Sequence, residues 1–412
     1  MANTWTTEDR TIFKNVISAF EDNLNVSLNV QMHGTEGELM ERANDIINRP
    51  VPMIVTSENR TVGSATTARD VTELKVPSAL DQKKVVPLKL SALEQRDSRR
   101  LTEMTTAAGR RLASDIEQST QSEIFNLGSL CVPITGAAGD YDDIALAESL
   151  MLEQGMANDP RCFGLNARDY NGIAGNLSQA SRSFGNDISD SALRRSHVGN
   201  IAGFDTYKLG ATQRLAAAGG TVTIATNGAQ VQYAPSANTD NRTQQVTVSS
   251  TTSVVAGDRF TIAGIEAVNH ESKVSTGQLK TFVVVSVDSG TTMTISPPMI
   301  GANSSPTDAE EDYKNIEVAS TSATAAVTFL NGNAANVNYF WTKDSIEILA
   351  GRYALPGDQG TQVMRGTTDQ GIELAMTKEF SGSTYTSLYH FDILYGVTNL
   401  APEKNGILIF GQ

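Results

Sequence analysis

Two cysteines, four histidines and two short acidic runs are the residues of this 412-residue chain that could do chemistry. Cys131 and Cys162 supply neither a disulfide framework nor a zinc set, and they read as buried or incidental thiols. His33, His197, His270 and His390 are scattered without metal-ligand spacing, and His390 sits in an apolar, aromatic stretch that suits a structural role. Asp142-Asp143 and Glu310-Glu311-Asp312 do not follow the spacing of a calcium-binding loop and read as solvated faces. The chain carries no phosphate-binding loop, no dinucleotide fingerprint, no zinc-protease helix and no nucleophile elbow. No catalytic, cofactor-binding or metal-binding residue is assigned, and no cofactor is expected. An enzyme of another type stays open, because missing motifs do not exclude one.

Composition sets the remaining limits. Hydrophobic residues are 40% and charged residues 19%, ordinary values for a folded chain with room for two or three domains. No stretch approaches the roughly 18 apolar residues needed to span a bilayer, so no membrane partner is expected. Glu8 and Asp9 stand where a signal peptide would be basic, which points to use in a cytoplasm. A net charge of −14 argues against a basic surface that coats nucleic acid. It suits a wall that repels packed DNA, and equally a chain that is simply kept soluble.

Residues 6–24 read as an amphipathic helix. Thr6 and Asp9 form a capping-box-like start, and Ile12, Phe13, Val16, Ile17, Phe20 and Leu24 make one apolar stripe. That stripe closes a local core or docks on another molecule. Residues 50–87 read as an extended hairpin. Val51, Met53, Ile54 and Val55 suggest one strand, Val71, Leu74, Val76, Val85 and Val86 the return, and the polar middle leaves the body. Against a neighbour, Arg60, Arg69, Asp70, Glu73 and Lys75 would pair; otherwise the segment is a solvated loop. A helix of roughly 50 Å then spans residues 93–125, with Leu101, Met104, Ala108, Leu112 and Ile116 on one face and Gly128 ending it. Its arginine pairs read as a solvated face.

Residues 131–217 read as mixed α/β. A helix covers 142–156, a strand covers 162–165, and 166–170 is turn-like. From about Gly219 to Gly332 the character changes to short period-2 alternations. Val222 with Ile224, Val246 with Val248, Phe260 with Ile262, Phe282 with Val284, Met293 with Ile295 and Val327 with Phe329 are separated by turn signals. About six strands in some 110 residues describe a small barrel or sandwich inserted in a host fold. Within it, residues 236–244, with Asp240 and Arg242, form a protruding polar loop. Strand-like alternation resumes after Trp341, and the end, Ile407-Leu408-Ile409-Phe410, is apolar and suited to a sheet.

Several segments resemble the tailed-phage major capsid proteins, and among them the coat proteins similar to that of phage P22. They are Asn126-Leu127-Gly128-Ser129-Leu130, Ala202-Gly203-Phe204-Asp205 and Gly257-Asp258-Arg259-Phe260-Thr261-Ile262-Ala263-Gly264. Phe340-Trp341 with Asp344-Ser345-Ile346, and Tyr395-Gly396-Val397 followed by Pro402-Glu403 and Gly406, complete them. The likeness is collinear over nearly the whole chain and strongest from residue 93 onward.

The resemblance implies an α+β, HK97-like capsid fold with an inserted small all-β barrel. It divides the chain into an N-terminal arm (1–49), extended hairpin (50–92), spine helix (93–130), first part of an axial domain (131–217), inserted barrel (218–335) and returning strands (336–412). The implied function is self-assembly as hexamers and pentamers into an icosahedral procapsid. A scaffolding protein and a portal protein would guide it, and double-stranded DNA would fill it without sequence-specific binding. The implied location is the virion, after assembly in the bacterial host cytoplasm. The hairpin would lie over a neighbouring subunit, Asp240 and Arg242 would pair across capsomers, and Glu8, Asp9, Glu21 and Asp22 would meet a basic scaffolding protein. The alternative from another class is a phage or bacterial surface binding protein that uses the β block to recognise a receptor.

Overall fold

The computed structural model describes residues 7–33, 46–57, 63, 70–91, 94, 97–156, 159–180, 195, 198–301, 307–353 and 362–411. Two compact units are each assembled from separate stretches of chain. Residues 1–47, 78–121 and 346–398 form the first, and 48–77, 122–345 and 399–412 the second.

In the first unit, helix α1 (Thr7–Glu21) buries Ile12, Phe13, Val16 and Phe20, with Leu24 just beyond its end. Each such burial contributes about 1.5–3 kcal/mol, and the stripe closes a local core. Helix α2 (Ser98–Leu127), whose residues from 122 onward belong to the second unit, meets α1 at Gly109, where an added methyl would lie 2.5 Å from the Val16 carbonyl oxygen. Gly366 is as tight on another side of α1, with Ile17 Cδ1 at 2.7 Å and the Phe13 ring at 2.8 Å from a methyl placed there. The two glycines let backbone approach the stripe where any side chain would hold it off.

Helix α2 begins at Ser98 rather than at residue 93. The Asp97 carboxylate accepts the N–H groups of Arg99 and Arg100, satisfying donors that the first turn cannot. The same unit holds a six-stranded sheet. Gln31–His33, Ile346–Ala350, Thr386–Asn399, Glu373–Ser381 and Gln362–Thr367 lie in that order, and Gln82–Ser91 pairs with Thr386–Asn399. The limb around Val85 and Val86 is therefore bound to the C-terminal part of the chain over the whole register from Ser91–Thr386 to Gln82–Tyr395.

The second unit contains a seven-stranded mixed sheet. Its order is Leu130–Ile134, Asn405–Phe410, Ala335–Thr342, Arg161–Asn166, Phe204–Leu209 and Asn200–Ile201, with Arg214–Leu215 attached to Ala335–Thr342. Helix α3 (Tyr141–Glu153) starts with a capping box between Asp140 and Asp143, so Asp143 is a cap rather than a merely solvated acid. Helix α4 (Ala167–Ala180) occupies residues expected to be a turn. Asn166 accepts the N–H groups of Arg168 and Asp169, and this cap turns the chain from strand directly into helix. Ile144, Ala147 and Met151 of α3 and Tyr170 and Ile173 of α4 pack with Phe163, Phe204, Phe340 and Leu408 of the sheet.

A second seven-stranded sheet, wholly antiparallel, follows in the same unit. Its order is Val222–Ile224, Ala325–Phe329, Arg259–Val268, Ser275–Val287, Thr292–Ser296 and Gln244–Thr247, with Ile316–Val318 paired to Arg259–Val268. A bridge between Ile224 and Val248 links the first strand to the residue after the last. The inward residues of each alternation, among them Val222, Val246, Phe260, Phe282, Met293 and Val327, form one apolar cluster.

Residues 51–57 depart from the expected strand. Pairing occurs instead between Ile46–Pro50 and Lys75–Ala79. Val51 adds one further bond, from its N–H to the Leu74 carbonyl, and Pro52 then has no N–H to continue the ladder. Residues 51–57 nevertheless keep a period-2 alternation, with Ile54 and Thr56 half-buried and Met53 and Val55 exposed.

Candidate functional site

Several of the groups with chemical potential are buried or hold the fold together, and His197 lies outside the described residues. Cys131 and Cys162 are buried, and burial pushes their thiols up to about 12 and about 11, out of nucleophile range. Among the described residues no group of three or more His, Cys, Asp or Glu could hold a metal ion. The run Glu310-Glu311-Asp312, expected to be solvated, has Glu310 and Asp312 buried. Glu310 caps the short helix Asp308–Asp312 through the Thr307 N–H, while Asp312 accepts bonds from Thr56.

The most highly organised polar features of the second unit are two joints that fasten the antiparallel sheet. One is built by the motif Gly257-Asp258-Arg259-Phe260. Gly257 has φ +97°, and a methyl on it would meet the Phe125 ring at 3.0 Å. Arg259 is completely buried. Its Nη2 donates to the Phe125 carbonyl at 2.6 Å, satisfying an orphan acceptor in the last turn of α2, and its guanidinium lies over the Phe125 ring. Burial lowers the Arg259 guanidinium to about 10, which still leaves it charged at neutral pH. Asp258 receives Asn331 Nδ2 at 2.9 Å, and Ser296 donates its hydroxyl to the Leu127 carbonyl at 3.0 Å.

The second joint centres on Glu403, in the turn before the C-terminal strand. Lys280 Nζ, with no exposed surface, lies 3.1 Å from Glu403 Oε1, and His270 Nε2 lies 2.8 Å from Oε2. Asn315 also donates its amide to Glu403, and its Oδ1 accepts the Ile300 N–H. Burial by itself would raise the Glu403 carboxyl, but the Lys280 ammonium and the His270 ring outweigh it and hold the group far below its usual range. Beside it Lys404 binds Asp159 and Asp344, both at 2.8 Å. A cavity of about 420 Å³ opens next to this joint, walled by Val51, Ile54, Leu74, Met156, Pro298 and Tyr313.

The expected contact residues divide sharply. Arg60 and Arg69 lie outside the described residues. Glu73 and Lys75 are exposed; Asp70 is exposed as well, while its N–H donates to Asp308. Asp240 and Arg242 pair with each other through two bonds, Nε to Oδ1 at 3.0 Å and Nη2 to Oδ2 at 2.8 Å. The loop they brace has an exposed tip at residues 236–239, and Asn241 reaches the Lys75 carbonyl.

In α1 the outcome differs by residue. Glu8 lies in the helix, with its side chain outside the described residues. Asp9 is buried, bonded to Lys378 Nζ at 2.9 Å and to the Tyr389 hydroxyl at 3.2 Å, and these bonds anchor the helix. Glu21 accepts the Asp369 N–H, and Asp22 is exposed. Sequence reasoning missed Arg259, Lys280, His270, Glu403 and Glu117. Glu117 accepts the N–H groups of Asn25, Val26 and Ser27, securing the turn after α1. The signal within reach was the Gly257-Asp258-Arg259 triplet, where a charge adjoins an apolar alternation.

Comparison with known proteins places the chain. A family model described as P22 coat protein, gene protein 5, matches residues 1–411. A structure from Mycobacterium phage Che8 is similar at 10% identity, covering 95% of this chain and 90% of that one, with a TM-score of 0.43. The mature capsid of bacteriophage PhiM1 is similar at 11% identity over 94% and 87%, with a TM-score of 0.46. The CUS-3 coat protein I-domain is 34% identical over 27% of this chain and 96% of that one, with a TM-score of 0.20.

Proposed function

Because the chain belongs to the P22 coat protein family, and is thereby a structural major capsid protein of the virion, we propose how it builds its shell. Copies assemble as hexamers and pentamers into an icosahedral procapsid in the host cytoplasm. A scaffolding protein and a portal direct the process, and the shell matures as double-stranded DNA is packaged. The family match across residues 1–411 is the observation that carries this reading.

The residues support the finer parts. Residues 218–335 form an inserted β-barrel domain in an HK97-like host. Seven antiparallel strands, a bridge between the ends of the sheet and a separate apolar cluster favour that reading. Its loop, braced by the Asp240–Arg242 pair, reaches the neighbouring capsomer with the exposed tip. The hairpin lies over an adjacent subunit, where Arg60, Arg69, Asp70, Glu73 and Lys75 make their pairs. Exposed Met53, Val55 and Val71 give that segment apolar surface to bury between chains. Glu8, Glu21 and Asp22 form the acidic contact for a basic scaffolding protein, with Asp9 serving as the helix anchor.

Sedimentation of the purified chain with and without its scaffolding protein tests this. Fast-sedimenting particles of uniform size that need the scaffold are expected. A monomer or small oligomer under both conditions would overturn the assembly scheme.

A further inference from the structure

Both limbs flanking the hairpin are seated on the same short helix. Thr56 donates its hydroxyl to Asp312 Oδ1 at 2.7 Å and its N–H to the same oxygen at 3.3 Å. From the returning limb, the Asp70 N–H donates to Asp308 Oδ2 at 3.1 Å. The Tyr313 hydroxyl donates to the Thr72 carbonyl at 3.2 Å. Between these bonds Val51, Ile54 and Leu74 pack against Ile300, Ala309 and Tyr313. The seat is held in place independently, because Thr307 and Glu310 cap the Asp308–Asp312 helix reciprocally.

The opposite side of the limbs is uncovered. Met53, Val55 and Val71 are 55%, 67% and 66% exposed, and they alternate with the seated residues. The limbs thus have one side fastened to their own subunit by carboxylate bonds and the contacts of Val51, Ile54 and Leu74, and an opposite side on which Met53, Val55 and Val71 are exposed beside Glu73 and Lys75. Burying Met53, Val55 and Val71 against another chain would add hydrophobic free energy that the seated limbs lack, while the bonds to Asp308 and Asp312 are each of modest net worth and can be given up.

We propose that the Asp308–Tyr313 segment is a latch, which holds both hairpin limbs against the subunit's own body until a second copy of this chain covers their exposed side. The seating is a property of the single chain. The release step rests on the assembly reading above. Asp308 and Asp312 set the strength of the latch, because each supplies a charged acceptor to one limb.

Hydrogen–deuterium exchange of the dilute, unassembled full-length chain tests the seating. Peptides covering residues 51–57 and 70–74 are compared between the wild type and Asp308→Ala with Asp312→Ala. Exchange in both peptides should rise roughly tenfold or more, as expected for losing the charge-assisted bonds of each limb, two at Thr56 and one at Asp70. The C-terminal strand Asn405–Phe410 should be unchanged, which reports an intact fold. Thr56→Val, a change on the limb itself, should loosen residues 51–57 in the same direction should the double variant fold poorly. Unchanged exchange in the limb peptides of all these variants would overturn the latch. In scaffold-driven assembly followed by light scattering, the loosened variants should shorten the lag several-fold. An unchanged or longer lag with loosened limbs would overturn the restraining role. If the wild type forms no shells, the assembly reading fails, while the exchange result still decides the seating.

Discussion

Glu403 and Lys280 form a buried ion pair, 3.1 Å from Oε1 to Nζ, that ties the turn before the C-terminal strand to the strand Ser275–Val287. The two residues come from opposite ends of a long excursion of chain. Their pairing, with His270 and Asn315 on the same carboxylate, fastens the antiparallel sheet to the returning strands.

Removing one partner of this pair leaves the other without its counter-charge in a largely buried place. Glu403→Gln should cost about 3–5 kcal/mol of unfolding free energy, and Lys280→Met a similar amount. The double change Lys280→Met with Glu403→Leu should recover much of the loss. Urea unfolding of the three variants measures it.

The same joint sets an acid limit. The Glu403 carboxyl is depressed in the folded chain, so its contribution is full above the usual carboxyl value of 4.5 and is lost progressively as pH falls below it. Denaturation midpoints from pH 7 down to pH 3 should decline for the wild type, and less steeply for the Lys280→Met, Glu403→Leu chain.

Lys273 works the other way at neutral pH, where its charge costs stability instead of adding it. Burial lowers its ammonium to about 8, with Glu403 opposing the shift, so the folded chain penalises the charge below that pH. Stability should rise as pH climbs from about 8 toward 10.5, where the unfolded chain still holds the proton and the folded one has released it. Lys273→Met should stabilise the chain at pH 7 and flatten this rise, measured by thermal unfolding across the range.

Gly109 is a steric requirement. A methyl there would lie 2.5 Å from the Val16 carbonyl oxygen, which is backbone and cannot step aside. Gly109→Ala should destabilise the first unit by about 1–3 kcal/mol. A lowered melting temperature checks it, with Gly175→Ala, where a methyl meets open space, as the control.

The α1 acids can be separated by readout. Asp9→Ala should cost stability, because it strips Lys378 and Tyr389 of a buried partner. Exposed Asp22→Lys should leave stability within about 0.5 kcal/mol while weakening capture of scaffolding protein. Equal loss of scaffold capture without loss of stability in Asp9→Ala would contradict the anchoring role.

Much of the architecture was legible because it follows from period. The stripe Ile12, Phe13, Val16, Phe20 and the face Ala108, Leu112, Ile116 mark helices. Pairs such as Val222 with Ile224 and Met293 with Ile295 mark strands that bury alternate residues. Local chemistry moved boundaries: Asp97 caps α2 later than the apolar pattern begins, and Asn166 caps α4 where the letters suggest a turn. Around Val51 and Ile54 the alternation is real, but after the Val51 N–H bonds the Leu74 carbonyl Pro52 stops the ladder, and side chains seat the segment beyond it. The joints were hidden for a simple reason. Glu117, Lys280 and Glu403 look like solvent-facing charges until the fold supplies partners far away in sequence.

The most direct measurement of the capsid assignment is electron cryomicroscopy of particles from cells that make this chain together with its scaffolding protein. The account predicts closed icosahedral shells in which this chain occupies both fivefold and sixfold positions, with residues 218–335 as a separate β-rich density in each copy. Uniform small particles without icosahedral order, or shells in which another protein forms the wall, would contradict it.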